Sequence, residues 1–244
     1  MLATVVLAAL AYGAHGVYSG AVTVPERFNP WATLEVAAAP NFLTGYKLAR
    51  TRSSPALCEM ALQTTGMQYD PLPDRVTGDG CGFENAVRLR RSGLRLGAPL
   101  TLSCPMALSF FMWERHALQP AAQTHFGQRV VAIEHLGSYA CRNINRGEGA
   151  APGTAAALPA SRSQHATANA LDIAGFTLAD GRRITVQSQW AAAAAVQPAG
   201  PAALLLQAAH QGACSYFEGV LGPDYNLVHR DHFHLETGGY RMCR

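Results

Sequence analysis

The sequence predicts an α+β fold, in which helices flank a small antiparallel sheet and disulfides hold the domain together. Short β-branched runs bounded by turn residues alternate with apolar segments at helical spacing. Six cysteines are dispersed along the chain, and histidines concentrate near its C-terminal end. With 244 residues, the chain is long enough to bury one substantial core.

Residues 1–23 predict a membrane anchor or a signal segment. Residues 2–25 contain no Asp, Glu, Lys or Arg, and the run from 2 to 11 is almost wholly apolar. Such a stretch can cross a bilayer or direct export. Its second half is diluted by Tyr12, by glycines and by His15, and no cationic region precedes it. A cleaved signal peptide and an uncleaved anchor are both open, and we favour the anchor.

Residues 24–57 predict an extended arm that packs on the domain. Prolines and spaced aromatic residues punctuate this region, a pattern too broken for a long helix. A helix is predicted from about Ser53 to Leu62, where a serine cap and an early proline precede apolar residues at helical spacing. A second helix is predicted from Ser103 to about His116.

The main domain, residues 58–244, is expected to contain the strands. Residues 128–135 form one short β-branched run, and residues 171–177 and 183–188 form two more, joined by a tight turn at Asp180-Gly181. We expect a loop over 147–160 and an alanine-rich helix over 189–212, interrupted at 198–201. A closing strand over 227–237 would carry the histidine-rich motif.

The cysteines predict disulfides and an oxidising compartment, because they are widely spaced rather than paired in short metal-binding clips. Six cysteines allow about fifteen pairings. Neighbours such as Cys58 with Cys81 and Cys214 with Cys243 would staple the two ends of the domain. Buried free thiols in a cytosolic protein are the alternative.

The charge of the chain argues against a nucleic-acid partner. The net charge is +3, only 14% of the residues are charged, and no basic run could track a phosphate backbone. A weak attraction to anionic cell-wall polymers is compatible with this composition.

Two motifs predict a catalytic zinc site with one ion. A site with one open position needs three ligands from imidazole and carboxylate groups, and we assign His165, Asp172 and His234. On a strand, His232 and His234 would face the same cleft while Phe233 packs on the opposite face. One of the two histidines would bind metal, and the other would contact substrate or an oxyanion.

A second set of residues is expected to act on the substrate. Asp231 is our candidate for the group that takes a proton from water, with the orientation of a histidine as its alternative role. His229 is a candidate substrate contact, and an exposed or core histidine is an equal alternative.

The residues around these motifs resemble two groups of proteins. The Ser163-x-His165 and Asp172 pattern, followed by Asp231-His232-Phe233-His234, is similar to the LAS-type zinc metallopeptidases, a group with D-alanyl-D-alanine carboxypeptidases, murein endopeptidases and the hedgehog fold. Over residues 24–244 the chain more closely resembles the bacterial extensin-like protein C-terminal domain family. The segments that carry this second resemblance are 24–31, 139–142, 170–173, 212–214, 221–226 and 229–234.

This resemblance implies an exported zinc peptidase, a D,D- or L,D-type carboxypeptidase or endopeptidase, that cleaves peptidoglycan stem peptides or cross-links. It implies a periplasmic or cell-envelope location, with the first segment in the inner membrane if it is uncleaved. Arg142 would bind a substrate carboxylate or stabilise the oxyanion, or form a structural ion pair instead. Ser163 would orient the loop that bears His165 or contact substrate, or simply form a turn. Ala168 stands where the broader group usually has glycine.

Two other functions remain open at this level. A catalytically inactive peptidoglycan-binding module would keep the fold, with or without the metal. A phosphoesterase with two metal ions would need more carboxylates than the motifs supply.

Overall fold

A computed structural model describes residues 2–145, 161–191 and 200–244. The helices are α1 (Leu2–Tyr18), α2 (Thr44–Arg52), α3 (Pro55–Gln63), α4 (Cys104–Trp113), α5 (Gln119–Phe126), α6 (Val186–Gln189) and α7 (Pro201–Ala213). The strands are β1 (Gln68–Leu72), β2 (Arg75–Gly78), β3 (Cys81–Phe83), β4 (Ala86–Arg91), β5 (Arg95–Ser103), β6 (Val130–Gly137), β7 (Ala170–Leu178), β8 (Arg183–Thr185), β9 (Gly219–Leu221), β10 (Phe233–Glu236) and β11 (Met242–Cys243).

The sheet is mixed and larger than the small antiparallel sheet that the sequence predicts. Across the described residues it contains nine strands in the order β1-β4-β5-β6-β7-β10-β9-β11, with β8 paired to β7. Two of the pairings, β5 with β6 and β9 with β11, are parallel. The chain from β5 to β6 passes through α4 and α5, and such a helical crossover allows neighbouring strands to run parallel. The remaining strands, β2 and β3, form a separate two-stranded ribbon.

Both predicted helix starts are confirmed. The Ser54 hydroxyl accepts a hydrogen bond from the Leu57 N–H at the start of α3, and the Ser103 hydroxyl accepts one from Met106 at the start of α4. Helix α4 continues through one π-helical turn, Glu114–Leu118, into α5, so this helical segment runs beyond the predicted end near His116.

The core lies between these helices and the sheet. The Trp113 ring at the end of α4 contacts Phe110 on the same helix, Phe176 on β7 and Phe217 after α7. Its indole N–H donates to the Ala209 carbonyl of α7 at 2.8 Å. These contacts hold α4 and α7 against the strand that carries Asp172.

The expected extended arm is only partly correct. Residues 24–43 contain one short 3-10 helix, Glu26–Phe28, but α2 occupies residues 44–52, where apolar and cationic side chains alternate at helical spacing. The buried Lys47 ammonium of α2 donates to the Glu26 carbonyl at 2.6 Å, and Val36 lies in the core. The arm is therefore packed on the domain, as expected.

Helix α1 lies apart from the core. None of its 17 residues is buried. Among the described residues, no helix combines the length and the apolar character that crossing a bilayer requires. The anchor or signal role of residues 1–23 stays a prediction.

Three disulfides join distant elements and leave no free cysteine. Cys214–Cys243 is formed as predicted and links the end of α7 to β11. The predicted Cys58–Cys81 pair is wrong, because Cys58 bonds to Cys104 between α3 and α4, and Cys81 bonds to Cys141 between the ribbon and the segment after β6.

The predicted strand 128–135 and the hairpin at Asp180-Gly181 are confirmed as β6 and the β7–β8 pair. Strand β8 ends at Thr185 because α6 begins there. The predicted strand 227–237 is reduced to β10: the Asn226 side chain accepts from the N–H groups of Val228 and His229 and winds residues 227–229 into a 3-10 turn. The predicted loop 147–160, and part of the interrupted helix over 189–212, lie outside the described residues.

Candidate metal centre

Two antiparallel strands and one short helix bring the three expected ligands together. Asp172 on β7 and His234 on β10 are direct cross-strand partners, so their side chains emerge side by side on one face of the sheet. His165 lies on the 3-10 helix Gln164–Thr167, just before β7. All three residues are buried.

The donor atoms of these side chains lie close enough together to share one metal ion, and they would move slightly apart around it. His165 Nε2 lies 3.2 Å from His234 Nδ1 and 3.1 Å from Asp172 Oδ2, and His234 Nδ1 lies 2.8 Å from Asp172 Oδ1. Two atoms bonded to one tetrahedral zinc are about 3.3–3.4 Å apart, given metal–ligand bonds of about 2.0–2.1 Å. The donor set, two imidazoles and one carboxylate, therefore fits Zn²⁺ with a fourth position left for water.

Outer hydrogen bonds select the nitrogen that each histidine would offer. His165 Nδ1 lies 2.8 Å from the Ser138 carbonyl, to which it donates, and this leaves Nε2 toward the cluster. His234 Nε2 lies 2.9 Å from Glu236 Oε2, and this leaves Nδ1 toward the cluster. Such partners fix the orientation of each ring and the tautomer in which the other nitrogen is free to bind a metal.

Two glycines make room for the Glu236 carboxylate. A Cβ at Gly219 would lie 2.3 Å from Glu236 Cγ, and a Cβ at Gly239 would lie 2.3 Å from its Oε1. Any larger residue at either position would displace this side chain. The local sequence is thus compatible with Glu236 in contact with His234.

The cluster carries strongly coupled charges. Burial disfavours the ionised form of Asp172, but hydrogen bonds from His165 and His234 outweigh burial and hold the pKa of its carboxyl well below the usual range. Burial also opposes protonation of His234, yet its hydrogen bonds to Asp172 and Glu236 raise its pKa to about 9. In the absence of metal, a proton on His234 supplies the positive charge between the carboxylates of Asp172 and Glu236.

His232 and Asp231 form a pair beside the cluster. His232 Nδ1 lies 2.8 Å from Asp231 Oδ1, and His232 Nε2 points toward Asp172, 3.7 Å from its Oδ1. His232 lines the cleft, whereas Asp231 does not. Asp231 and His232 both precede β10, whereas the sequence predicts His232 on the strand. Phe233, the first residue of β10, packs on the opposite face against Trp190, as expected.

The other predicted site residues also surround the cleft. The Arg142 guanidinium lies 3.9 Å from Asp172 Oδ2, with 42% of its side chain exposed. The Ser163 hydroxyl accepts from the His165 N–H and caps the short helix, a contact compatible with its expected orienting role and with a turn-forming serine alike. The ring of His229 lies 5.3 Å from that of His232, and burial, together with repulsion from His234 and His232, lowers its pKa to about 4.

A cleft of about 990 Å³ runs over the cluster. Arg142, His229, His232 and His234 line it, together with Glu236. The sequence does not predict the two groups that hydrogen-bond to the histidines of the cluster, Glu236 and the Ser138 carbonyl. Alternation was the available signal for Glu236, because it stands two residues after His234 on the same strand and faces the same side. No signal in the sequence could identify a backbone carbonyl as the partner of His165.

No curated protein and no solved structure matches the chain. A family model described as "Extensin-like protein C-terminus" matches residues 56–244, a stretch that contains every ligand of the cluster and all three disulfides. The chain therefore belongs to the family of extensin-like protein C-terminal domains.

Proposed function

We propose that this protein is an exported, LAS-type zinc peptidase that cleaves peptidoglycan stem peptides or their cross-links. The observation that carries the proposal is the convergence of His165, Asp172 and His234 in an open cleft, beside a second histidine that is paired with a carboxylate. The disulfides support export, because such bonds persist in oxidising compartments.

His165 Nε2, Asp172 and His234 Nδ1 would hold the metal. Bound zinc would lower the pKa of its water to about 7 and polarise the carbonyl of the scissile bond. The protein must then accept a proton from that water and deliver it to the leaving amine.

The geometry favours His232 for this proton transfer, with Asp231 in its alternative role. His232 Nε2 faces the cluster, and the hydrogen bond from Nδ1 to Asp231 orients the ring. Asp231 thus keeps a role in catalysis, but through His232 rather than as the group that first takes the proton.

Arg142 stands where it would meet the substrate. Its guanidinium is half exposed at the edge of the cluster and carries donors in a fork that fits a carboxylate or a developing oxyanion. His229, with its lowered pKa, is neutral at pH 7 and would contact the substrate as a hydrogen-bonding group rather than as a cation.

Incubation of the purified protein with cross-linked peptidoglycan, with zinc or with chelator, tests the proposal when the released fragments are identified by mass spectrometry. Zinc-dependent fragments are expected, and their masses name the bond that is cut. His165→Ala and Asp172→Ala should lose both zinc and activity. No fragments from a folded, zinc-loaded protein would overturn the proposal, and retained binding to the polymer would then favour a non-catalytic module.

Asp231→Asn and His232→Gln test whether the two residues act as one unit in proton transfer. Both variants should bind zinc, and both should lower kcat by about 100-fold or more, the usual scale for loss of a general base. Wild-type turnover in Asp231→Asn would contradict the pairing of Asp231 with His232 as a functional unit.

A further inference from the structure

The cleft contains a second guanidinium, Arg162, that the proposed chemistry does not use. Arg162 lines the same cleft as Arg142, and 37% of its side chain is exposed. Its Nη1 donates to Asn143 Oδ1 at 2.9 Å, a bond that uses one of the five donors that a guanidinium carries. Among the described residues, the nearest carboxylate is that of Asp79, which lies 4.0 Å away and is fully exposed, so it screens this charge only weakly.

A short two-stranded segment holds Arg162 and Asn143 opposite each other. The two residues form an isolated antiparallel bridge. The Ser163 N–H donates to the Arg142 carbonyl, and the Ile144 N–H donates to the Ser161 carbonyl, so the backbone is paired on both sides of that bridge. The Arg162 guanidinium and the Asn143 amide therefore lie side by side on backbone that hydrogen bonds hold in place.

The ribbon β2–β3 packs against this segment. Gly80 lies in the turn of the ribbon with φ +62°, and a Cβ there would come within 3.0 Å of Arg162 Cγ. Glycine thus allows the stem of Arg162 to lie directly on the turn. The Cys81–Cys141 disulfide joins the same ribbon to the residue next to Arg142.

The charges of the cleft favour an anionic ligand. Among the residues that the structure describes, its formally charged side chains are Arg142, Arg162, Asp172 and Glu236, and both carboxylates are hydrogen-bonded to histidines of the cluster. With a divalent cation in the cluster, the cationic groups outweigh the two carboxylates. A cleft lined with one sign of charge attracts ligands of the opposite sign.

We propose that Arg162 and Asn143 form a second carboxylate-binding position, so that the preferred substrate is an acidic peptide with a free carboxylate away from the bond that is cut. This inference rests on the proposed function for the bond cleavage itself. The Arg162 fork would bind the carboxylate, and the Asn143 amide N–H groups would donate to the same ligand.

Two synthetic stem pentapeptides test this position, L-Ala-γ-D-Glu-L-Lys-D-Ala-D-Ala with a free α-carboxylate on its glutamyl residue and the same peptide with that group amidated. The full-length, zinc-loaded protein should prefer the free acid by roughly 10- to 100-fold in kcat/KM, the scale of a hydrogen bond to a charged group. Arg162→Gln should bring this ratio close to one, with little change for the amide. Arg162→Lys, which keeps the charge but loses the fork, should give an intermediate ratio.

Arg88→Gln is the matched control, because Arg88 is an exposed arginine on β4 and does not line the cleft. It should keep the wild-type ratio, and thermal unfolding of each variant should be unchanged. An unchanged ratio in a folded Arg162→Gln protein would overturn the inference. If the wild-type protein cleaves neither peptide, the digestion of cross-linked peptidoglycan described above decides the proposed function. Fluorescence anisotropy of the same labelled pair then tests Arg162 by binding affinity alone, and equal affinities of the wild-type protein for the acid and the amide would overturn the inference.

Discussion

At the scale of single residues, Glu236 is expected to control how tightly the protein holds its metal. Its carboxylate accepts from His234 Nε2 and so directs Nδ1 to the cluster. We predict that Glu236→Ala lowers zinc affinity about 10- to 100-fold, the range for loss of such outer partners, with a smaller loss for Glu236→Gln. Competition with a chromogenic chelator measures the effect.

The control for Glu236 is Glu134→Gln on β6, an exposed carboxylate paired with Arg183 away from the cluster. It should leave zinc affinity unchanged. Equal affinities for wild-type protein and Glu236→Ala would show that the carboxylate does not position His234.

The raised pKa of His234 predicts a pH-dependent zinc affinity. Below its pKa of about 9, His234 carries a proton that must leave before Nδ1 can bind metal. The apparent affinity should therefore rise about tenfold per pH unit between pH 7 and 8.5. Titrations at three pH values measure this slope, and a slope near zero would contradict the proton held between Asp172 and Glu236.

The raised pKa of His234 also predicts that the stability of the metal-free protein falls as the pH rises, whereas zinc affinity increases. A histidine with a pKa raised from 6.5 to about 9 stabilises the folded state fully below pH 6.5, and this contribution disappears as the pH rises through 9. The depressed pKa of Asp172 contributes above pH 4, and its contribution is lost on acidification. Urea unfolding of metal-free protein should accordingly show a loss of stability from pH 7 to 9.5, and zinc should remove that trend.

Ala168 closes the short helix of His165 in a left-handed conformation, with φ 57° and ψ 23°, and is fully buried. Glycine would relieve about 1 kcal/mol of backbone strain but lose a buried methyl group and gain unfolded-state entropy. We predict that Ala168→Gly changes the free energy of unfolding by no more than about 1 kcal/mol. Ala168→Val should cost about 2 kcal/mol or more, since a branched side chain fits neither the backbone nor the space. Urea unfolding compares them, and a valine variant as stable as wild type would refute the argument.

At the scale of elements, what could be predicted depended on how local the signal was. The starts of α3 and α4 follow from a serine and a proline within two residues. Strand β4 is not predicted, although Val87 and Leu89 alternate with exposed arginines. The reason is that its partner strands give weak signals, since proline interrupts β1 and glycine and proline interrupt β5. Parallel pairing and the Cys58–Cys104 bond depend on contacts between distant segments, which spacing along the chain does not encode.

The candidate site shows the same division. Motif spacing was enough to identify His165, Asp172 and His234, because each lies in or beside a short stretch of regular structure. The contact between Asp231 and His232, on which their proposed roles rest, was not predictable, since it depends on where β10 begins and on which ring nitrogen faces the cleft.

The Cys81–Cys141 disulfide is expected to maintain the substrate side of the cleft rather than the metal side. It ties the ribbon to the residue next to Arg142, while the ligands lie on β7, β10 and the helix before β7. Replacing both cysteines with alanine should lower stability by about 2–4 kcal/mol and raise the KM for peptides several-fold, with zinc affinity retained. The Cys58→Ala, Cys104→Ala protein is the control, since its disulfide joins α3 to α4. Equal effects of the two disulfides on KM would contradict this division.

At the scale of the whole molecule, the residues before the family domain are expected to be part of one folding unit with it. The family model begins at residue 56, yet Leu34, Val36 and Leu48 belong to the hydrophobic core. The Arg52 guanidinium donates to the Tyr216 carbonyl at 2.9 Å and pairs with Glu218, next to β9. These contacts join the arm and α2 to the part of the sheet that also carries β10.

Deletion of residues 1–55 should therefore unfold the domain or lower its Tm by more than about 10 °C. The deletion removes three core side chains, and the lost burial of each costs about 1.5–3 kcal/mol, a sum comparable with the whole stability of a typical domain. Deletion of residues 1–23 is the control, and it should change the Tm by only a few degrees because α1 contains no buried residue. Thermal unfolding followed by circular dichroism compares the two truncations. A domain of residues 56–244 that unfolds cooperatively at the full-length Tm would show that the arm and α2 add nothing to the core, and that the family boundary is also the boundary of the folding unit.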